Sequence, residues 1–126
     1  MKELTKAELQ VMQHIWKLEK SYLKDIVEAF PEPRPAYTTI STVIRVLVKK
    51  GFIGYTTHGK ANEYRAKISR KEYFRIHMNT LIDNHFEGSA VSFASFFTGA
   101  GAMDLGELEE IRQLIDEQIL KLRGGK

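Results

Sequence analysis

The stretch Tyr37-Thr38-Thr39-Ile40-Ser41-Thr42-Val43-Ile44-Arg45-Val46-Leu47-Val48-Lys49-Lys50 decides the fold. Eight of its side chains are β-branched, a composition that locally favours a strand. Spacing argues the other way. Ile40, Val43, Ile44 and Leu47 recur at i, i+3, i+4 and i+7, while Thr38, Ser41, Thr42, Arg45 and Lys49 fall on the opposite side. A two-residue alternation would mix Ile40, Thr42 and Ile44 on one face. Gly51 is a good helix stop, and Lys49-Lys50 stands at the negative end of the helix dipole. The stretch is therefore expected to be an amphipathic helix, apolar behind and rich in hydroxyls and cations in front.

Working outward, Thr5-Lys6-Ala7-Glu8 is a capping box, with Leu4 and Leu9 placed for a hydrophobic staple. It opens a helix over about 6–19. Ser21 is positioned to cap a second helix carrying Leu23, Ile26, Val27 and Phe30, ended by Pro31. Pro31, Pro33 and Pro35, all the prolines of the chain, make the following connector stiff. Beyond the decisive helix, 52–57 and 62–68 read as two strands around His58-Gly59-Lys60-Ala61, a β-hairpin with a basic tip. Ser69-Arg70-Lys71-Glu72 is a second capping box, opening a helix to about Phe86 that Gly88 breaks. A short apolar helix over 90–97 and a last helix over 105–122 complete the chain. Leu108, Ile111, Leu114, Ile115, Ile119 and Leu122 line one side of the last helix. The expected fold is mainly α with a small β-hairpin. Residues 1–68 form a winged helix-turn-helix and residues 69–126 a helical dimerisation region.

Charge is unevenly distributed. The 126 residues carry 19 basic and 16 acidic side chains, a net charge of +3. Residues 1–68 hold a net +5 and residues 69–126 a net −2. Between Arg34 and Lys67 stand Arg34, Arg45, Lys49, Lys50, Lys60, Arg65 and Lys67 against Glu63 alone, an excess that attracts polyanions. With no cysteine, a disulfide framework, a thiolate zinc site and a cysteine nucleophile are excluded. The amino terminus lacks the apolar stretch of a secretory signal. The longest run without charge, Gly88 to Met103, is shorter than the ~20 residues a membrane helix needs, so a cytoplasmic protein without membrane insertion is expected. Histidines 14, 58, 77 and 85 show no metal-ligand spacing, and no H-E-x-x-H motif accompanies them. No nucleophile elbow or phosphate loop is present. Neither an enzyme nor a cofactor is expected.

Three helices followed by a basic hairpin is the order of a winged helix, whose third helix enters the major groove of DNA while the hairpin lies over the backbone or minor groove. Tyr37, Thr38, Thr39, Ser41 and Thr42 offer hydroxyls and methyls to base edges and phosphates, and Arg45 has the reach for bidentate contact. Lys49, Lys60 and Arg65 supply backbone neutralisation. In the carboxy-terminal half, Tyr73, Phe74, Met78, Leu81, Ile82, Phe86, Phe93, Phe96, Phe97, Leu108, Ile111, Ile115 and Ile119 are many apolar groups for helices that close no domain alone. They suit a homodimer interface; the alternative is packing back onto the winged helix. Two other functions fit the same pattern: a winged-helix protein-interaction module and a ligand-responsive regulator.

Leu4-Thr5-Lys6-Ala7-Glu8-Leu9, Val11-Met12 and Ile15-Trp16 resemble the opening of the BlaI/MecI family of bacterial repressors. Thr39-Ile40, Leu47, Lys49-Lys50-Gly51-Phe52-Ile53 and Tyr64 resemble its recognition helix and wing. The resemblance covers nearly the whole chain and is most specific in the first 68 residues. It implies a homodimer that represses transcription, usually of resistance genes, from a palindromic operator, with dimerisation through the carboxy-terminal helices. It also implies release by proteolytic cutting within those helices, triggered by a membrane-embedded sensor metalloprotease. Some members are cut at an Asn-Phe bond; here Phe96-Phe97 occupies that place, without the asparagine. The copper response of some relatives needs cysteines that this chain lacks.

Overall fold

A computed structural model describes residues 3–101 and 103–124. The elements run α1 (Lys6–Leu18), β1 (Lys20–Tyr22), α2 (Leu23–Ala29), α3 (Tyr37–Lys50), β2 (Ile53–His58), β3 (Ala61–Ala66), α4 (Arg70–His85), α5 (Ala90–Gly99) and α6 (Leu105–Arg123). The architecture is the expected one, mainly helical with a small antiparallel sheet. The chain divides into two compact units, one ending at Met78 and one beginning at Asn79.

In the first unit α3 is helical throughout despite its β-branched residues, because burial follows the 3.6-residue period. Ile40, Ile44 and Leu47 are sealed inside, and Val43 and Val48 pack against the same core. Gly51 ends the helix at φ 88°, a left-handed position where a side chain is strained. There its N–H, together with that of Phe52, satisfies the carbonyls of Leu47 and Val48. Leu4, Val11, Met12 and Ile15 at and in α1, Ile26 and Phe30 in and after α2, and Phe52 and Ile53 at the start of the wing belong to the same core. The Thr5–Glu8 capping box forms in both directions.

Two local expectations are corrected. Ser21 does not cap α2: it lies in β1, 1% exposed, opposite Tyr64. β1 pairs with β3, so the hairpin becomes a three-stranded sheet of order β1-β3-β2. A three-residue strand carries no readable period, and its partner lies about forty residues away in sequence. Tyr73 joins the winged-helix core at 3% exposure and is not free for a partner. That contact, with Trp16 donating from Nε1 to the Ile68 carbonyl at 2.8 Å, carries the first unit into α4, beyond residue 68.

The second unit is thinly packed. Phe86 meets Phe93 at 5.4 Å and Phe96 at 5.6 Å between ring centroids, and Phe93 stacks on Phe97 at 5.8 Å. No described residue of α5 or α6 is buried. Asp104 caps α6 in a reciprocal box with Glu107.

Candidate nucleic-acid interface

The outer face of α3 follows from its inner one. With Ile40, Ile44 and Leu47 turned inward, Tyr37, Thr38, Thr39, Thr42, Arg45 and Lys49 are exposed, and Ser41 is half-buried at the edge. Thr42 donates its hydroxyl to the Thr38 carbonyl at 2.9 Å. This bond fixes its rotamer, and the hydroxyl can then only accept from an incoming group. Among the described residues, Arg45 and Lys49 make no ion pair or side-chain hydrogen bond.

The seven cations between Arg34 and Lys67 are not equivalent. Arg34 is consumed by the connector: its guanidinium donates to the Phe30 carbonyl at 2.8 Å and the Glu28 carbonyl at 3.2 Å, and pairs with Glu32 at 3.0 Å. Lys50 is consumed by Glu8, Nζ to Oε2 at 2.7 Å. Burial raises the pKa of the Glu8 carboxyl, but the hydrogen bonds from Lys50 and the Thr5 N–H outweigh it, so the group stays below the ordinary glutamate range. Among the described residues, Arg45, Lys49, Lys60, Arg65 and Lys67 pair with no carboxylate.

The wing presents Lys60 in the tight turn between His58 and Ala61, where Gly59 takes φ 64°. A hydrogen bond from Thr57 to Asn62, 2.8 Å, holds the tip together. Lys60, Asn62 and Tyr64 of the wing, Tyr37 of α3, and Tyr22 and Lys24 at the start of α2 line one cleft of about 360 Å³. Arg65 stands apart from it. It alternates onto the other face of the sheet, across from Lys20, and donates to the Thr56 hydroxyl at 3.1 Å. Glu63 on that face pairs with His58 at 3.3 Å. Tyr22, Lys24 and Asn62 were not singled out by the sequence, yet they line the same cleft as Lys60. Only the pairing of β1 with β3 brings them beside Lys60, and no local pattern announces it.

His14 of α1 is half-buried, with its ring 4.3 Å from that of Phe30. Burial, with a smaller contribution from Lys17, lowers its pKa below the ordinary histidine value.

Of the apolar groups expected at a dimer interface, Phe74, Met78, Leu81, Phe96, Phe97, Ile115 and Ile119 are exposed in the single chain, while Phe86, Phe93, Leu108 and Ile111 are half-buried. Val91, Leu105 and Leu120 add exposed apolar surface that helical spacing did not single out. No described helix is long and apolar enough to cross a membrane.

The chain is similar over nearly its whole length to known regulatory proteins. The penicillinase repressor of Bacillus licheniformis is 22% identical over 116 residues, covering 91% of each chain. The methicillin resistance regulatory protein MecI of Mammaliicoccus sciuri is 26% identical over 117 residues, covering 92% of this chain and 95% of that one. A solved structure on the regulation of DNA binding of Bordetella bronchiseptica BpsR superposes with a TM-score of 0.47 at 16% identity, over 92% of this chain and 75% of that one. The family model described as penicillinase repressor matches residues 4–117. Spanning both the winged helix and the helices after it, that match means the chain belongs to the penicillinase repressor family of transcriptional repressors.

Proposed function

We propose that the chain is a homodimeric, sequence-specific repressor that reads a palindromic operator with α3. The observation that carries this reading is the outer face of α3. Short hydroxyl side chains let a helix approach base edges closely, and among the described residues Arg45 and Lys49 have no carboxylate to satisfy them. Lys24 and Lys60 line the same cleft as Tyr37 and supply two cations for a phosphate beside the helix. Arg65, Lys20 and Lys67 face the other side of the sheet and reach the backbone only where the duplex wraps the wing.

The second unit supports the dimer. Helices with no buried residue and exposed Phe97, Leu114, Ile115, Ile119, Leu120 and Leu122 lack a core of their own, and a second copy would provide it. Two-fold symmetry then places the two α3 helices on half-sites one helical turn, or a multiple of it, apart. The regulated genes, by kinship with the relatives named above, are resistance genes. Release follows cutting at Phe96-Phe97 by a membrane-bound sensor metalloprotease. Both rings are exposed, and a cut there severs α6 from the DNA-binding unit.

Footprinting on the promoter beside the protein's own gene is the test. Arg45→Ala should lower operator affinity about ten- to a hundredfold while changing random-duplex affinity far less. Thr42→Ala should relax discrimination at one base position. Equal losses on operator and random DNA would remove α3 from the reading role. Intact-mass analysis of the chain from induced cells should show a fragment ending at Phe96, and only full-length chain would end the cleavage reading.

A further inference from the structure

We propose that Tyr73 and Glu8 are positioning residues, forming a polar relay that sets the orientation of the DNA-reading helix from the first turn of α4. The proposal rests on α3 being that helix. Tyr73 is 3% exposed, wedged among the rings of Trp16, Phe52, Phe74 and His77, and its hydroxyl accepts the Leu4 N–H at 2.8 Å. The next N–H along the chain, that of Thr5, donates to Oε1 of Glu8 at 3.0 Å. The other carboxylate oxygen, Oε2, takes the ammonium of Lys50 at 2.7 Å, in the last turn of α3. Only the φ and ψ of Leu4 separate the two amides, and its side chain is held in the core at 8% exposure. The contacts from α4 to α3 are therefore continuous, ending at the Lys50 ammonium, whose side chain is 35% exposed.

Capping α1 does not require this arrangement. Thr5 and one oxygen of Glu8 complete the cap, so neither Tyr73 nor Lys50 is needed for it. A lysine at a helix carboxyl end ordinarily keeps its ammonium in water. Lys50 instead spends it on a carboxylate whose side chain is 8% exposed, where a charge-assisted bond is strong and directional. Lys49, its neighbour, stays exposed for a phosphate. The last turn of α3 thus divides its two cations, one outward and one inward as an anchor.

The experiment uses the full chain with Tyr73→Phe, Lys50→Met, their double, and Lys50→Arg as the conservative variant. Tyr73→Phe keeps the ring and removes the hydroxyl that accepts the Leu4 N–H. The first readout is amide hydrogen exchange in the free protein, under conditions where each variant is fully folded by circular dichroism. Exchange across Leu47–Gly51 should quicken about tenfold in Tyr73→Phe, although the hydroxyl touches none of those residues. The second readout is operator affinity. Each single variant should lose about tenfold, the double no more than the worse single, and Lys50→Arg should stay near wild type. Should Tyr73→Phe fail to fold, Glu8→Gln, which keeps the size and the Thr5 bond, takes its place. An operator-binding chain whose α3 exchange ignores the substitution, or fully additive losses in the double, overturns the relay alone. A wild-type chain that binds no operator while Tyr73→Phe still loosens α3 overturns the DNA reading alone.

Discussion

Replacing Lys60 by alanine tests whether the wing tip neutralises a phosphate. Lys60 is exposed, has no carboxylate partner among the described residues, and sits in a turn pinned by the Thr57–Asn62 hydrogen bond, so removing it changes charge and little else. Each neutralised phosphate contributes about 0.9 to the slope of log affinity against log salt. A two-fold dimer loses two such contacts, so the slope should become shallower by about 1.8. Between about 50 and about 200 mM salt, the wild type should then lose roughly twelvefold more affinity than the variant. Lys50→Met is the internal control. Its ammonium is already paired with Glu8, so its slope should match wild type whatever happens to affinity. Fluorescence anisotropy of a labelled operator over a salt series measures both. An unchanged slope for Lys60→Ala, or a Lys50→Met slope as shallow as that of Lys60→Ala, refutes the assignment of free and consumed cations.

Ile44, 1% exposed at the centre of the inner face of α3, should cost about 2–4 kcal/mol when cut to alanine, read as a lower urea midpoint with an unchanged m-value. Glu8 has a folded-state pKa below its ordinary value of 4.5, so its contribution is fully present above that pH and is lost as pH falls through the lowered folded value. Urea titrations should therefore show a wild-type advantage over Glu8→Gln that is flat above pH 5 and shrinks below about 4.5; an advantage constant to pH 3 contradicts the pairing with Lys50. Ile115→Glu with Ile119→Glu should convert a dimer to a monomer in sedimentation velocity without unfolding the first unit, and an unaltered sedimentation coefficient places the interface elsewhere.

How much was legible varies with distance along the chain. The helical reading of 37–50 survived a strand-like composition because its apolar period is a local property of the chain. The caps at Thr5 and Ser69 were legible for the same reason: each cap closes a hydrogen bond within four residues. β1 was hidden because three residues carry no period. The inward turn of Tyr73 was hidden because an aromatic residue on a half-exposed helix suits a core and a partner equally well.

The sequence by itself determined where the helices and the wing lie, which face of α3 is apolar, and that positive charge collects between Arg34 and Lys67. Only the tertiary structure decided which of those charges are free. A formal charge is a property of a residue, whereas its availability depends on whether folding brings a carboxylate or carbonyl to it. Arg34 meets Phe30, Glu28 and Glu32 at the connector, and Lys50 meets Glu8 across more than forty residues of chain. The same folding brings Lys24 and Lys60 to one cleft and sends Arg65 to the opposite face, because strand pairing, and not sequence proximity, assigns side chains to the two sides of a sheet.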